Sequence, residues 1–306
     1  MQELVSSLPD PWSQVINAAL MGDAFGVPHE FKIGSSIPLK QNLAMIMSPN
    51  YSKTFTDIPY GTWSDDGSQM LALLDVLVKC QGKYSANQFG FNLLSWLNEA
   101  HFQAGSVVFD CGMQTRRALD AYGAGRILEV DESHCGNGSL MRVLPVAALP
   151  DAFGVSQRDA LQIAMLQSDI THPQKLCRVC CAIFVQLVWL VKDGGQGVRA
   201  LLPLAVRIVA EHGILSSEEY LLLETILQYG AENMPTNSGY VLNSFWSAMW
   251  SIDRSESLSD TLRNVVSVGG DTDTVACIAA GLASLRFGWD DLSHEWCWQM
   301  WRAANF

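Results

Sequence analysis

The stretch VGGDTDTVACIAAG, residues 268–281, decides the fold. Beyond Asp271 and Asp273 the chain runs through Ala276, Ala279, Ala280, Gly281, Ala283 and Ser284. A helix that is small and apolar nearly all round has no solvent face, so it belongs at the centre of a helical body. Gly269-Gly270 permits a tight backbone turn just before the acids. Like charges at a buried helix end cost energy unless a cation compensates them.

Working outward, the same logic recurs at GTWSDDGSQ, residues 61–69. Asp65 and Asp66 precede a buried helix expected over 68–78, and Asp is favoured at helix starts. One carboxylate suffices for a cap; two with a neighbouring hydroxyl leave capping and metal binding both open. The oxygen donors of the two clusters suit Mg²⁺ or Mn²⁺ better than Zn²⁺, which prefers Cys and His.

Helical patterning fills most of the remaining chain. Asp10-Pro11 reads as an N-cap and first helical position, leading into VINAALMGDAFG. Further helices are expected over 86–99, 113–121, 139–148, 157–167, 175–192, 198–211, 217–229, 238–251, 257–266, 273–287 and 291–304. Residues 32–60 read as irregular loop. Alternating β-branched runs and hairpin signals are missing, and no Pro/Gly/Ser-rich linker divides the chain. The expectation is all-α: one compact helical domain over 1–306.

The 306 residues are 49% hydrophobic and 16% charged, which implies a large buried core. A formal charge of −12 argues against nucleic acid as the main partner. The eight cysteines follow no zinc-finger spacing, and Cys177, Cys180 and Cys181 lie in an apolar helix, so reduced buried thiols and a cytoplasmic setting are expected. The N-terminus lacks a signal-peptide pattern, and the apolar run 180–191 is too short for a bilayer span, so no membrane association is expected. His294-Glu295 begins like a zinc-protease motif, but its second His is missing.

Taken in order, five segments carry a resemblance: Gly22–Glu30 (GDAFGVPHE), GTWSDDGSQ, Gly136–Arg142 (GNGSLMR), Ser168–His172 (SDITH) and VGGDTDTVACIAAG. Together they resemble the ADP-ribosylglycohydrolase family across nearly the whole chain. Phe109–Gly112 and Ser238–Val241 match more loosely. The resemblance implies a compact all-α fold and a binuclear site of two Mg²⁺ (or Mn²⁺) ions held by Ser64, Asp65, Asp66, Asp271, Asp273 and Thr274. Many members have Thr where this chain has Ser64; both supply a hydroxyl.

It further implies hydrolysis of a glycosidic bond at the anomeric carbon of ADP-ribose, with Asp65 and Asp273 holding the ions. Glu30 would orient water, act as acid or base, or gate access. Gly136, Asn137, Gly138 and Ser139, before an expected helix, would meet the diphosphate; by themselves they are an ordinary glycine turn. His172 is a ligand contact or a core histidine. Tyr240 is an adenine platform or a core aromatic. Asp110 would face a guanidinium or ribose, and Asp23 reads as a structural carboxylate. The implied substrate is an ADP-ribosylated protein, most simply at arginine, with a cognate ADP-ribosyltransferase or toxin as a further partner. The rival readings are a hydrolase of another ADP-ribosyl linkage (serine, acetyl-ADP-ribose or nucleic acid), a two-metal nucleotide phosphohydrolase, and a non-catalytic ADP-ribose-binding or blocking relative.

Overall fold

Small side chains set the central packing. In a computed structural model describing residues 1–126, 130–232 and 236–304, the chain forms α1 (Gln2–Ser6), α2 (Trp12–Gly26), α3 (Asp65–Lys79), α4 (Ala86–Glu99), α5 (Met113–Gly123), α6 (Leu149–Phe153), α7 (Gln157–Leu166), α8 (Lys175–Lys192), α9 (Val198–Glu211), α10 (Ser217–Glu232), α11 (Val241–Asp253), α12 (Leu258–Val268), α13 (Thr272–Phe287) and α14 (Asp291–Ala304). The protein is all-α. The most extensive helix contact is α2 on α13. A Cβ on Gly22 would fall 2.3 Å from the Ala276 carbonyl oxygen, and one on Gly26 would fall 2.3 Å from Asp273 Cα. The two backbones touch, as the glycine and alanine stripes require. Thr272–Ser284 of α13 is buried throughout, with α3, α8, α11 and α12 also packed on it.

The only sheet among the described residues is a ladder of β1 (Lys32–Ile33) and β2 (Gly269–Gly270), antiparallel, with Lys32 opposite Gly270. Both glycines have positive φ (80° and 75°), and a Cβ on Gly270 would lie 2.0 Å from the Asn237 carbonyl oxygen. Glycine is obligatory there. Thus the stretch read as loop over 32–60 holds a strand, plus 3₁₀ turns at Gly34–Ser36 and Lys40–Asn42.

Three helix expectations need correction. No α-helix covers 139–148; turns lead to a 3₁₀ helix at Leu144–Ala148 and then to α6. Pro145 and Pro150 each lack the N–H that a continuing helix needs. The helix expected from Ser238 begins at Val241, because the preceding residues pair with another segment: Gly136 bridges Tyr240, and Asn137 N donates to the Gly239 carbonyl. Pro11 is the cap of α2 and not its first residue; Ser13 Oγ donates to Asp10.

All eight cysteines are free thiols. No helix among the described residues is long and apolar enough to cross a membrane.

Candidate active site

Asp65 and Asp66 are the first two residues of α3. Ser64 is its N-cap but makes no capping bond with its own side chain. The cap comes from α2. The Asp23 carboxylate accepts from Ser64 N (2.9 and 3.0 Å to its two oxygens), from Ser64 Oγ (2.9 Å) and from Gly67 N (2.8 Å). Those contacts fill the roughly four acceptor positions of a carboxylate. Asp65 and Asp66 are therefore free of capping duty. Ser64 Oγ also lies 2.9 Å from Asp66 Oδ2, and its single proton serves one of the two acids at a time.

Asp273 sits in the first turn of α13, its Oδ1 accepting from Thr274 N at 3.0 Å. Asp271 caps that helix from the half-buried turn, and Asn137 Nδ2 donates to its Oδ2 at 2.7 Å. Thr274 lines a cavity together with Asp271. The β1–β2 ladder brings in Glu30: Phe31 N donates to the Gly270 carbonyl at 2.8 Å, which sets Glu30 against the Asp271 turn. Asp110 joins the group by lining the same cavity as Asp65.

The carboxylates form two overlapping sets. Oxygens of Asp23, Asp66 and Asp273 lie within 4.8 Å of one another, as do those of Glu30, Asp110 and Asp273. Asp273 belongs to both. Burial, followed by repulsion from neighbouring acids, holds Asp65, Asp66 and Asp273 well above the usual carboxylate range. Burial raises Asp110 and Asp271 as well. Asp23 is pushed up to about 7 by burial against its N–H donors, and Glu30 to about 10 by burial and then Asp110. Glu30 Oε2, Asp66 Oδ1 and Asp273 Oδ2 are buried without a hydrogen-bond partner. Neither set contains Cys or His. Unpaired, hard oxygen donors around a shared carboxylate fit divalent cations of the Mg²⁺ or Mn²⁺ type.

The cavity, of about 520 Å³, opens over this cluster. Its lining includes the acids Glu30, Asp65, Asp110 and Asp271 with Thr274, and also Gly136, Asn137, Gly138 and His172. The glycines there have a packing role: a Cβ on Gly138 would lie 2.6 Å from His172 Cε1. Burial, and then Arg142, lowers His172 to about 3, so its ring is neutral. Its Nδ1 pairs with Thr171 Oγ1 at 2.8 Å.

Most of the sequence-derived site residues thus meet in one place. Five do not line this cavity: Ser64, Asp66 and Asp273 are buried and contribute nothing to its lining, and Ser139 and Tyr240 do not line it either. Ser139 is fully buried, its Oγ accepting from Ser168 Oγ at 2.7 Å. Tyr240 lines an adjoining chamber of about 470 Å³, which shares Met113, Gln114, Gly136 and Gly239 with the first. The expected helix N-terminus behind Gly136–Ser139 is also absent, and Gly136 N and Asn137 N are already bonded to His134 and Gly239 carbonyls. Sequence reasoning overlooked Gln69, Asn237 and Phe31. Gln69 lies one turn past Asp65, a spacing that could have flagged it.

Comparisons with known proteins agree. The family model for ADP-ribosylglycohydrolase matches residues 14–303. An ADP-ribosylarginine hydrolase, Tri1, of Pseudomonas putida is 27% identical over 77% of this chain and 62% of its own length. The Serratia proteamaculans Tri1 is 23% identical with the same coverages. The chain therefore spans under two thirds of those relatives. An ADP-ribosyl-[dinitrogen reductase] glycohydrolase of Rhodospirillum rubrum is 24% identical over 90% of this chain and 85% of its own. A solved structure, an ADP-ribosylglycohydrolase-related protein complex, superposes with a TM-score of 0.67 at 22% identity, covering 95% and 94% of the two chains, and supports the fold. With a family model matched over residues 14–303, and with Asp65, Asp271 and Thr274 of the two acidic motifs lining one cavity, the chain belongs to the ADP-ribosylglycohydrolase family.

Proposed function

We propose that this protein hydrolyses the glycosidic bond between ADP-ribose and a modified protein, with arginine as the acceptor, and so reverses an ADP-ribosyltransferase. The carrying observation is the pair of carboxylate sets that share the buried Asp273, one of which reaches the cavity through Glu30 and Asp110. The names of the relatives supply the arginine acceptor.

Asp65, Asp66, Asp271 and Asp273, with the hydroxyls of Ser64 and Thr274, would hold two Mg²⁺ or Mn²⁺ ions. When bound, such ions fix sugar hydroxyls and lower the pKa of an attacking water. The chain's own residues do the rest. Bond cleavage at the anomeric carbon passes through an oxocarbenium-like state. With cations keeping the acids ionised, the carboxylates lining the cavity, Asp110 included, would present a negative field to that developing positive charge. Asp110 suits the guanidinium of an arginine acceptor. Glu30 Oε2, buried and unpartnered, is placed to carry a proton to or from the reacting group. Asn137 holds Asp271 in position through its 2.7 Å bond. Neutral His172 forms the wall against which the ribose packs. The remainder of ADP extends into the adjoining chamber, where Tyr240 offers a ring for the adenine and Arg117 a positive charge. In the cell, the partner would be a cognate transferase, either a regulatory enzyme or a toxin.

The test is mass spectrometry of products from an arginine-ADP-ribosylated protein, incubated with Mg²⁺ or with EDTA. Free ADP-ribose and unmodified arginine, only with the cation, are expected. AMP as product would replace the glycosidase reading with a phosphohydrolase; no release would leave a different ADP-ribosyl linkage or a catalytically silent relative, which a serine-linked substrate would separate.

A further inference from the structure

Arg142 is fully buried, yet every hydrogen bond it makes among the described residues goes to a neutral amide oxygen. Nε donates to Gln167 Oε1 at 2.8 Å, Nη2 to the Gln167 carbonyl at 2.9 Å, and Nη1 to Gln69 Oε1 at 2.7 Å. A buried guanidinium without a carboxylate in contact is costly unless nearby negative charge offsets it. Gln69 is the link to such charge. It too is fully buried, and its Nε2 donates to Asp65 Oδ2 at 3.0 Å.

Chemistry fixes the direction of this relay. Arginine has donors only, so the oxygen of the Gln69 amide must face it. The NH₂ end is then left for Asp65, whose Oδ2 must accept. The amide cannot flip without setting NH₂ against guanidinium. The same helix supplies both residues, since Asp65 and Gln69 stand one turn apart on α3. The Phe89 ring, 5.1 Å from the guanidinium carbon, closes the other side of Arg142.

We propose that Gln69, locked by Arg142, is the positioning residue that holds Asp65: it occupies Oδ2 and leaves Oδ1 to face the cavity and its cations. This rests on the cation-dependent reading above. Partners that orient metal-binding side chains commonly matter by about 10- to 100-fold in metal affinity or activity.

Two substitutions separate positioning from mere packing. Gln69→Met keeps the volume but loses both bonds. Gln69→Glu keeps an acceptor for Arg142, and a better one, but cannot donate to Asp65. Isothermal calorimetry with Mn²⁺, melting temperature, and kcat and KM for ADP-ribose release would be measured on both. Gln69→Met is expected to bind Mn²⁺ about 10-fold more weakly. Gln69→Glu is expected to melt no lower than wild type yet lose about 10-fold in kcat, with KM little changed. Wild-type kcat in Gln69→Glu would mean that Gln69 serves Arg142 alone, and the proposal would fall. Wild-type Mn²⁺ affinity in Gln69→Met would also overturn it. A wild-type chain that binds no Mn²⁺ would instead overturn the underlying reading, and this inference with it.

Discussion

Asp273→Asn should stabilise the protein in EDTA and abolish most of the stabilisation that Mn²⁺ confers. Asp273 is the carboxylate common to both acidic sets, with oxygens within 4.8 Å of those on Asp23 and Asp66 and on Glu30 and Asp110. At an effective dielectric of 20, each ionised neighbour at 4.8 Å costs about 3.5 kcal/mol. Protonation of several members relieves most of that, so the net gain on neutralising Asp273 is about 2 kcal/mol. Asparagine keeps the bond from Thr274 N to Oδ1, and its NH₂ replaces the unpartnered buried Oδ2 with a donor facing carboxylates. For 306 residues the unfolding entropy is about 0.64 kcal/mol/K, so the melting temperature should rise by about 3 °C in EDTA. Wild type with Mn²⁺ at about 100 times its Kd should gain about 2.7 kcal/mol, close to 4 °C, and the variant much less. Scanning calorimetry of both proteins, with EDTA and with Mn²⁺, reads all four values. A variant that melts below wild type in EDTA, or shows the same Mn²⁺ shift, refutes the reasoning.

Gly26→Ala places a Cβ 2.3 Å from Asp273 Cα and 2.4 Å from its nitrogen, so α2 and α13 must part. A loss of about 3 kcal/mol is expected in urea unfolding, with weakened Mn²⁺ binding; an unchanged midpoint counts against the packing argument. The pH dependence has two opposing parts. Asp23 and Glu30 rise from ordinary values of 3.8 and 4.5 to about 7 and about 10, so their contribution is full at low pH and is lost as pH climbs through the folded values. His29 and His172 fall from 6.5 to about 4 and about 3, mainly by burial, so theirs is full above 6.5 and is lost on acidification. Cation-free protein should therefore be most stable at mildly acidic pH, and saturating Mn²⁺ should move that optimum upward by keeping the acids ionised; urea midpoints between about pH 4 and pH 9 test it, and an unmoved optimum contradicts it. Ala100 closes α4 in a left-handed conformation (φ 56°), so Ala100→Gly should raise stability by about 0.5–1 kcal/mol without touching activity. Equal or lower stability would show that the strain is relieved elsewhere.

Much of this protein was legible from residue order because the relevant physics is local. Helical periodicity, small-residue stripes and capping residues act within a turn or two, so Ala86–Glu99, Lys175–Lys192 and Val198–Glu211 appear with the expected bounds. The two acidic motifs were equally legible, since each is a short contiguous run at a helix start. Local signals misled where a distant partner had the stronger claim. Residues 238–240 pair with the Gly136 segment and delay α11, and Pro145 breaks a stretch whose apolar residues look helical. Whether Asp65 and Asp66 cap their helix could not be decided from sequence, because the capping carboxylate, Asp23, lies 41 residues before Ser64. Only tertiary structure puts Asp273 in both acidic sets, turns Gly136 and Gly138 into a seat for His172, and connects Arg142 to Asp65 through Gln69. Those contacts arise from three-dimensional close packing between segments far apart in the chain, and no local pattern encodes them.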